Sequence, residues 1–145
     1  FCGVRAGQEA KGKEDHGGPD AESLLTVTPG LQRGVENQTP LAGGPIDGPL
    51  FEIAPTIDFF LKENLFGDIF GRNNLDFQSR EIATVSALAN LSGVNSQLQS
   101  HLNISLNVGL TESQLKNLIE VLNNKVSSQV GDNAAEVLEV VLDKK

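Results

Sequence analysis

The stretch TESQLKNLIEVLNNKV, residues 111–126, decides the fold class of this 145-residue chain. It opens with Thr111 and Gln114, three positions apart, which match the capping box that begins many α-helices. Apolar residues then recur at intervals of three and four, which places their side chains on one helix face. These residues are Leu115, Leu118, Ile119, Leu122 and Val126. The pattern predicts a helix that buries one face.

Three neighbouring segments show the same helical spacing. One predicted helix runs from about Asp76 to Ser92, with Asp76 as its N-cap and Gly93 at its end. Another covers residues 95–108, and a third begins near Asp132. Connections of a few residues favour antiparallel neighbours, and no segment alternates at period two. We therefore predict an all-α fold, an antiparallel helical bundle.

The first 50 residues have a different texture. They contain 10 of the 15 glycines and 5 of the 6 prolines, and residues 11–20 carry no apolar side chain. Such a segment buries too little surface to offset its ordering entropy. We predict a flexible or extended N-terminal arm over residues 1–50, loose over 1–20 and extended over 21–50, followed by a helical domain over residues 51–145. Six of the seven phenylalanines lie in residues 51–77, where a kink is expected near Gly67.

Charge and composition exclude several classes of function. Eleven Lys and Arg residues against nineteen Asp and Glu give a net charge of -8, which disfavours nucleic acid and anionic membrane surfaces as partners. No apolar run reaches the roughly 20 residues of a membrane helix. The single cysteine, Cys2, cannot form an internal disulfide. Because the chain starts at Phe1, targeting cannot be read; we expect a cytoplasmic location, with export or a periplasmic location as the alternative.

Motifs for metals and cofactors are missing from the sequence. His16 and His101 are the two histidines and lie far apart, outside any pattern typical of metal ligands. The sequence has no nucleophile elbow and no glycine-rich phosphate loop. We expect no metal and no cofactor.

Three residues are candidates for a functional site. The helical spacing puts His101 at the border of an apolar face, where it could be a general acid or base or a structural histidine at the core edge. Glu81 is expected in the first turn of its helix, where a carboxylate complements the helix dipole. Arg80 could bind a substrate carboxylate, or pair with Asp76 one turn earlier.

Four motifs in order resemble the carboxymuconolactone decarboxylase family, within the alkylhydroperoxidase-D-like superfamily. They are LFGDIFGR (65–72), LDFQSREIAT (75–84), QLQSH (97–101) and LNVGLTE (106–112). The resemblance covers residues 51–122. It implies an all-helical fold and a homotrimer or homohexamer with sites near subunit interfaces. Residues 41–55 are similar to the connector before the second repeat of two-repeat members, which would make this chain such a C-terminal repeat.

The resemblance also implies a choice between two chemistries. Peroxidase members carry a Cys-x-x-Cys pair, but Val94 and Gln97 stand at those positions, so peroxidase activity is not expected. Decarboxylating members act on a lactone acid without cysteines. In this chain His101 would be the general acid/base, Glu81 its catalytic partner and Arg80 the substrate-binding residue.

A later family pattern, His-x-x-x-Tyr-x-Gly-x-Pro, is not preserved. Its positions fall on Val121, Lys125, Ser127 and Gln129. Two hypotheses therefore stand. The chain is a cofactor-free lyase for a small organic acid or lactone, or it is a non-catalytic oligomeric scaffold or small-molecule-binding domain that kept the fold.

Overall fold

The computed structural model describes residues 29–44 and 49–144. This part of the chain contains seven α-helices, one π-helical segment and no strand. The elements are α1 (Gly30–Ala42), α2 (Pro49–Ile53), α3 (Pro55–Phe60), the π segment (Leu61–Ile69), α4 (Phe77–Ala89), α5 (Asn95–Asn107), α6 (Glu112–Lys125) and α7 (Ser128–Leu142). More than two thirds of residues 51–144 are helical. The predicted all-α fold class is confirmed.

Side chains next to the helix ends set several of these boundaries. At the start of α6 the backbone N–H of Gln114 donates to Thr111 Oγ1, and the backbone N–H of Thr111 donates to Gln114 Oε1, so the capping box is present. The predicted start of the last helix near Asp132 is wrong. Helix α7 begins at Ser128, because the Ser127 hydroxyl accepts the backbone N–H of Val130 and caps the helix one turn earlier.

Helices α4 to α7 enclose the main core. Helix α6 packs on α7, α4 packs on α5, and α5 also contacts α7. The core is aliphatic: Val85, Ala89, Leu98, Leu102, Leu110, Leu115, Ile119, Leu122, Ala134, Val137, Leu138 and Val141. Leu115, Ile119 and Leu122 fall on the predicted apolar face of α6, and their burial joins this helix to the others. The prediction is wrong for Val126, which follows the last residue of α6 and is 52% exposed.

A second, partly aromatic core joins α1 and the π segment to α5. Its buried members are Leu41, Phe66, Phe70 and Ile104. The prediction of an extended arm is therefore wrong for residues 30–42, which form a helix with Leu41 buried. Residues 1–28 and 45–48 lie outside the described part, and so do the predictions made for them.

Close backbone contact explains why a glycine-rich sequence forms this helix. A Cβ on Gly34 would collide with the carbonyl oxygen of Lys62, and a Cβ on Gly67 would collide with that of Gly30. The three glycines therefore let α1 lie directly on the π segment. Where a kink was expected near Gly67, the chain widens into the π segment. Within the described residues, no helix is long and apolar enough to cross a membrane.

Candidate functional site

Helix α4 carries Glu81 on its buried face. The helix starts after Asp76, whose side chain accepts the Ser79 backbone N–H at 2.7 Å. From that start Phe77, Glu81 and Val85 follow one another at intervals of four and share one face. Glu81 is completely buried. The expected first-turn position of Glu81 is wrong: it lies in the second turn and its side chain points inward, so dipole compensation does not explain it.

Helix α5 presents His101 to this carboxylate. Leu98 and Leu102, on either side of His101 in sequence, are fully buried in the main core. The Ser105 hydroxyl, also buried, donates to the His101 carbonyl oxygen at 2.8 Å. Burial of Leu98 and Leu102 thus fixes the part of α5 that carries His101, and 24% of the His101 side chain is exposed. The predicted position at the border of the apolar face agrees with this partial burial.

The two side chains are in direct contact. His101 Nδ1 lies 2.8 Å from Glu81 Oε2. Because a carboxylate accepts hydrogen bonds, we assign the hydrogen to Nδ1, which leaves Nε2 as the ring nitrogen available to a ligand. A histidine oriented in this way by a carboxylate can transfer a proton at Nε2 while the carboxylate stabilises the imidazolium.

The second carboxylate oxygen is unusual. Glu81 Oε1 is buried and has no hydrogen-bond partner among the described residues. Burial of an unsatisfied carboxylate oxygen is costly, of the order of 1–3 kcal/mol or more for a charged group. Such groups are rare in folded proteins and call for a specific explanation, of which a catalytic role is one.

Arg80 points to another neighbourhood. Its Nε donates to the Leu75 carbonyl oxygen at 3.2 Å, and Nη2 donates to the Arg72 carbonyl oxygen at 2.9 Å and to Asn74 Oδ1 at 3.1 Å. The guanidinium also lies over the Phe70 ring, 5.7 Å from its centre. These contacts turn Nε and Nη2 of Arg80 toward the loop of residues 72–75. Of the three predicted site residues, the structure brings together Glu81 and His101.

The surroundings of Arg80 also affect its ionisation. Partial burial lowers the pKa of the guanidinium below its ordinary value, and the nearby positive charge of Arg72 lowers it further, while Asp76 acts in the opposite direction. Arginine nevertheless remains protonated at neutral pH. Through its hydrogen bonds, Arg80 stabilises the loop that joins the π segment to α4.

Three clefts on the described surface are lined by residues other than Glu81 and His101. A polar cleft of about 620 Å³ lies between the α4–α5 turn and the start of α7. In its wall, the amides of Asn95 and Asn133 donate to each other at 2.9 and 3.1 Å. Another cleft, of about 490 Å³, runs beside Ser100 and Val141.

The third cleft is an apolar groove of about 290 Å³ between α4 and α6. Ile82 and Val121 lie in its wall. Val121 is one of the four positions at which the sequence departs from the family pattern. In the described residues, no group of three or more His, Cys, Asp or Glu side chains is arranged to hold a metal ion.

Sequence reasoning did not find the second, partly aromatic core or the buried Gln38 on α1. Gln38 is 3% exposed, and its Nε2 has no hydrogen-bond partner among the described residues. The sequence did contain one signal for the packing of α1 against the π segment. Gly30 and Gly34 are four positions apart, a spacing of small residues that is typical of helices in close contact. A comparison with protein-family models finds no match to this chain, and a comparison with curated proteins finds no matching sequence. Neither comparison identifies a family for this chain, and the resemblance stays a hypothesis drawn from the four short motifs.

Proposed function

We propose that the chain is a carboxymuconolactone decarboxylase-like, cofactor-free lyase that acts on a small organic acid or lactone. The observation that supports this most directly is the 2.8 Å contact between His101 Nδ1 and the buried carboxylate of Glu81. A general acid/base that works near neutral pH needs an imidazole or a carboxylate in a controlled environment. This pair supplies both groups, and 24% of the His101 side chain is exposed.

The proposed roles follow from the orientation of the ring. The substrate would bind within reach of Nε2. On a lactone acid, the bond between the ring carbon and the carboxylate breaks, CO₂ leaves, and the electron pair is delocalised into the lactone carbonyl. Nε2, which has taken a proton from solvent to form the imidazolium, then gives this proton to carbon, and the ring returns to the neutral form with hydrogen on Nδ1. Glu81 keeps the ring in the tautomer with hydrogen on Nδ1 and stabilises its positive form.

Two observations favour the second hypothesis, a non-catalytic scaffold or binding domain. The three described clefts are lined by residues other than the pair, and the guanidinium of Arg80 is held by the loop of residues 72–75. In that case the pair would serve only to join α4 to α5. The experiment must therefore separate proton transfer from structural support.

The substitution His101→Asn makes this separation. An asparagine amide can place its nitrogen near the position of Nδ1 and donate to Glu81, but it has no counterpart of Nε2 and cannot transfer a proton. We expect the variant to stay folded and to lose about 10²–10⁴-fold in rate. The assay is CO₂ release from a panel of lactone carboxylic acids and β-keto acids. His16→Asn, which changes the other histidine, is the matched control.

A second readout does not require turnover. The chain has two histidines, so the ring signals of histidine-labelled protein can be assigned by comparison with the His16→Asn control. A ligand from the same panel should shift the His101 signals and leave those of His16 in place. If wild-type protein releases no CO₂ and no ligand moves the His101 signals, the lyase proposal fails. Release of CO₂ at an unchanged rate by His101→Asn would show that the chemistry lies elsewhere.

A further inference from the structure

The chain contains a long stretch without charge. Between Glu81 and Glu112 it has no Asp, Glu, Lys or Arg, although 21% of all its residues are charged. The stretch includes the α4–α5 turn and the whole of α5. Every other helix in the described residues carries at least one charged side chain. Since exposed helix faces are ordinarily rich in charged residues, the solvent-facing side of α5 is unusual.

Amides and hydroxyls occupy positions of α5 that reach solvent, which include Asn95, Ser96, Gln97, Gln99, Ser100 and Asn103. Serine and asparagine form helices less readily than lysine or glutamate, because their side chains compete for backbone hydrogen bonds. The Ser100 hydroxyl does so here, since it donates to the Ser96 carbonyl oxygen at 3.0 Å. Helix propensity and solubility would both favour charged side chains on this side of α5. Contact with a ligand is a reason for amides and hydroxyls in their place.

Two clefts lie along this side of α5 and join. The first, of about 620 Å³, is bounded by the α4–α5 turn and the start of α7. The second, of about 490 Å³, lies between α5 and the end of α7. Ser96 lines both clefts, and Asn103 lines the second. Asn103 is about 10 Å farther along the helix axis, at a rise of roughly 1.5 Å per residue. We refer to the two clefts together as the α5–α7 groove.

The walls of the α5–α7 groove can donate and accept hydrogen bonds. The amides of Asn95 and Asn133 donate to each other at 2.9 and 3.1 Å, which joins α5 to α7. Each of these amides has a second N–H and a second lone pair for another partner. Asn90 donates to the Ser86 carbonyl oxygen at 2.8 Å, and its amide oxygen can accept. Apolar side chains lie beside the polar ones: Leu91, Val130 and Val141.

Charge is nearly absent from the α5–α7 groove. Among the described residues that line it, Lys144 alone carries a charge. Proteins ordinarily hold an anionic ligand with several cationic side chains and a cationic ligand with carboxylates. The described lining of the groove supplies neither set. It therefore suits a neutral ligand that donates and accepts hydrogen bonds and has some apolar surface.

We propose that the α5–α7 groove binds a neutral oligosaccharide. Each sugar hydroxyl donates and accepts a hydrogen bond, as the amides and hydroxyls of the groove do. The C–H faces of sugar rings are apolar and would pack on Leu91, Val130 and Val141. The length of the groove favours a chain of sugars over a single ring. This proposal is independent of the proposed lyase activity, because the groove is lined by residues other than Glu81 and His101.

A nuclear magnetic resonance titration of the full, isotope-labelled chain tests the proposal. The probes are maltotriose, cellotriose, mannotriose and triacetylchitotriose at millimolar concentrations. At least one of these trisaccharides should shift the side-chain amide signals of Asn95 and Asn133. The signal of Asn124, an exposed amide on α6 outside the groove, should stay in place. The matching monosaccharide should bind more weakly, because it cannot occupy both clefts.

Substitutions in the groove should weaken this binding. Asn133→Leu removes one member of the amide pair and should raise the dissociation constant at least about 5-fold, the effect of losing one or two neutral hydrogen bonds. Gln129→Leu changes an exposed side chain of the first cleft and gives the same test without breaking the amide pair. Asn124→Leu is the matched control and should bind the sugar as the wild type does. Circular dichroism of the same samples verifies that the variants are folded.

Three results would overturn the proposal. In one, no trisaccharide of the panel shifts the signals of Asn95 and Asn133. In another, folded Asn133→Leu and Gln129→Leu bind the sugar as tightly as Asn124→Leu. In the third, a sulfated form of the same sugar binds more tightly than the neutral form, which would show an anion site at Lys144 instead.

Discussion

The carboxylate of Glu81 is fully buried, and the imidazole of His101 makes its one hydrogen bond among the described residues. The two residues are 20 positions apart and belong to neighbouring helices, so the contact also links α4 to α5. Either residue can be removed by substitution, but the consequences differ. Loss of His101 leaves a buried carboxylate with no partner, whereas loss of Glu81 leaves an imidazole that still reaches water.

His101→Ala should therefore lower the free energy of unfolding by about 1–3 kcal/mol, because the Glu81 carboxylate loses its only described partner. Adding Glu81→Leu should restore part of that loss, since the buried charge is then replaced by an apolar side chain of similar size. Urea unfolding of the wild type, the two single variants and the double variant measures both effects. A double variant less stable than His101→Ala would contradict this account.

Gly34→Ala should destabilise the protein by about 1–3 kcal/mol, the cost of overpacking a tight contact. The added methyl group would collide with the Lys62 carbonyl oxygen, which is backbone and cannot turn aside. This steric cost outweighs the roughly 0.5–1 kcal/mol by which alanine is ordinarily preferred to glycine inside a helix. The midpoint of thermal unfolding, followed by circular dichroism, is the measurement.

Gly44→Ala is the matched control for the glycine contact, because a Cβ on Gly44 would meet nothing within 4 Å. Its unfolding midpoint should stay close to that of the wild type. If Gly34→Ala proves as stable as Gly44→Ala, then α1 does not lie directly on the π segment, and the second core needs another explanation.

Gly34 also shows which part of the fold could not be predicted from the sequence. Local signals were sufficient for α4 and α6, because Asp76 and Thr111 act on backbone groups only three residues away. Gly34 instead contacts the backbone of Lys62, 28 positions away. The absence of a side chain stabilises α1 only because that backbone packs against it, and the local sequence does not specify this contact. A glycine-rich stretch was therefore predicted as an extended arm when part of it is a helix with a close partner.

The candidate site, too, was predicted only in part from the sequence. Helical spacing placed His101 at the edge of an apolar face, and the structure leaves its side chain 24% exposed. Glu81 was expected in the first turn of its helix, but it lies buried in the second turn. The helical spacing alone did not place it beside His101; that pairing came from the family resemblance. Arg80 shows the same difficulty: its contacts with the loop of residues 72–75 depend on how that loop folds back.

Thr111→Ala should cost about 1 kcal/mol, the typical loss when an N-cap hydroxyl is removed. The variant loses the acceptor for the Gln114 backbone N–H at the start of α6. Because α6 contributes Leu115 and Ile119 to the main core, fraying of this end weakens tertiary packing as well. Urea unfolding measures the loss, and Ser113→Ala, an exposed change in the same turn, is its control. Equal stability of the two variants would show that the capping box is not needed.

Asp76→Asn should change how stability depends on pH while keeping the cap of α4. The Ser79 backbone N–H and hydroxyl lower the pKa of Asp76 in the folded protein below its ordinary value of 3.8. A lowered carboxyl pKa contributes stability above the pKa of the unfolded chain, and that contribution is lost as pH falls through the folded pKa. Asparagine accepts the same hydrogen bond without titrating.

The stability advantage of wild type over Asp76→Asn should therefore be largest near pH 6 and shrink below about pH 4. Urea midpoints at pH 3–6 test this, with Thr111→Ala as a control whose cap does not titrate. An advantage that stays constant over this range would mean that the Asp76 carboxylate is not preferentially stabilised in the folded state.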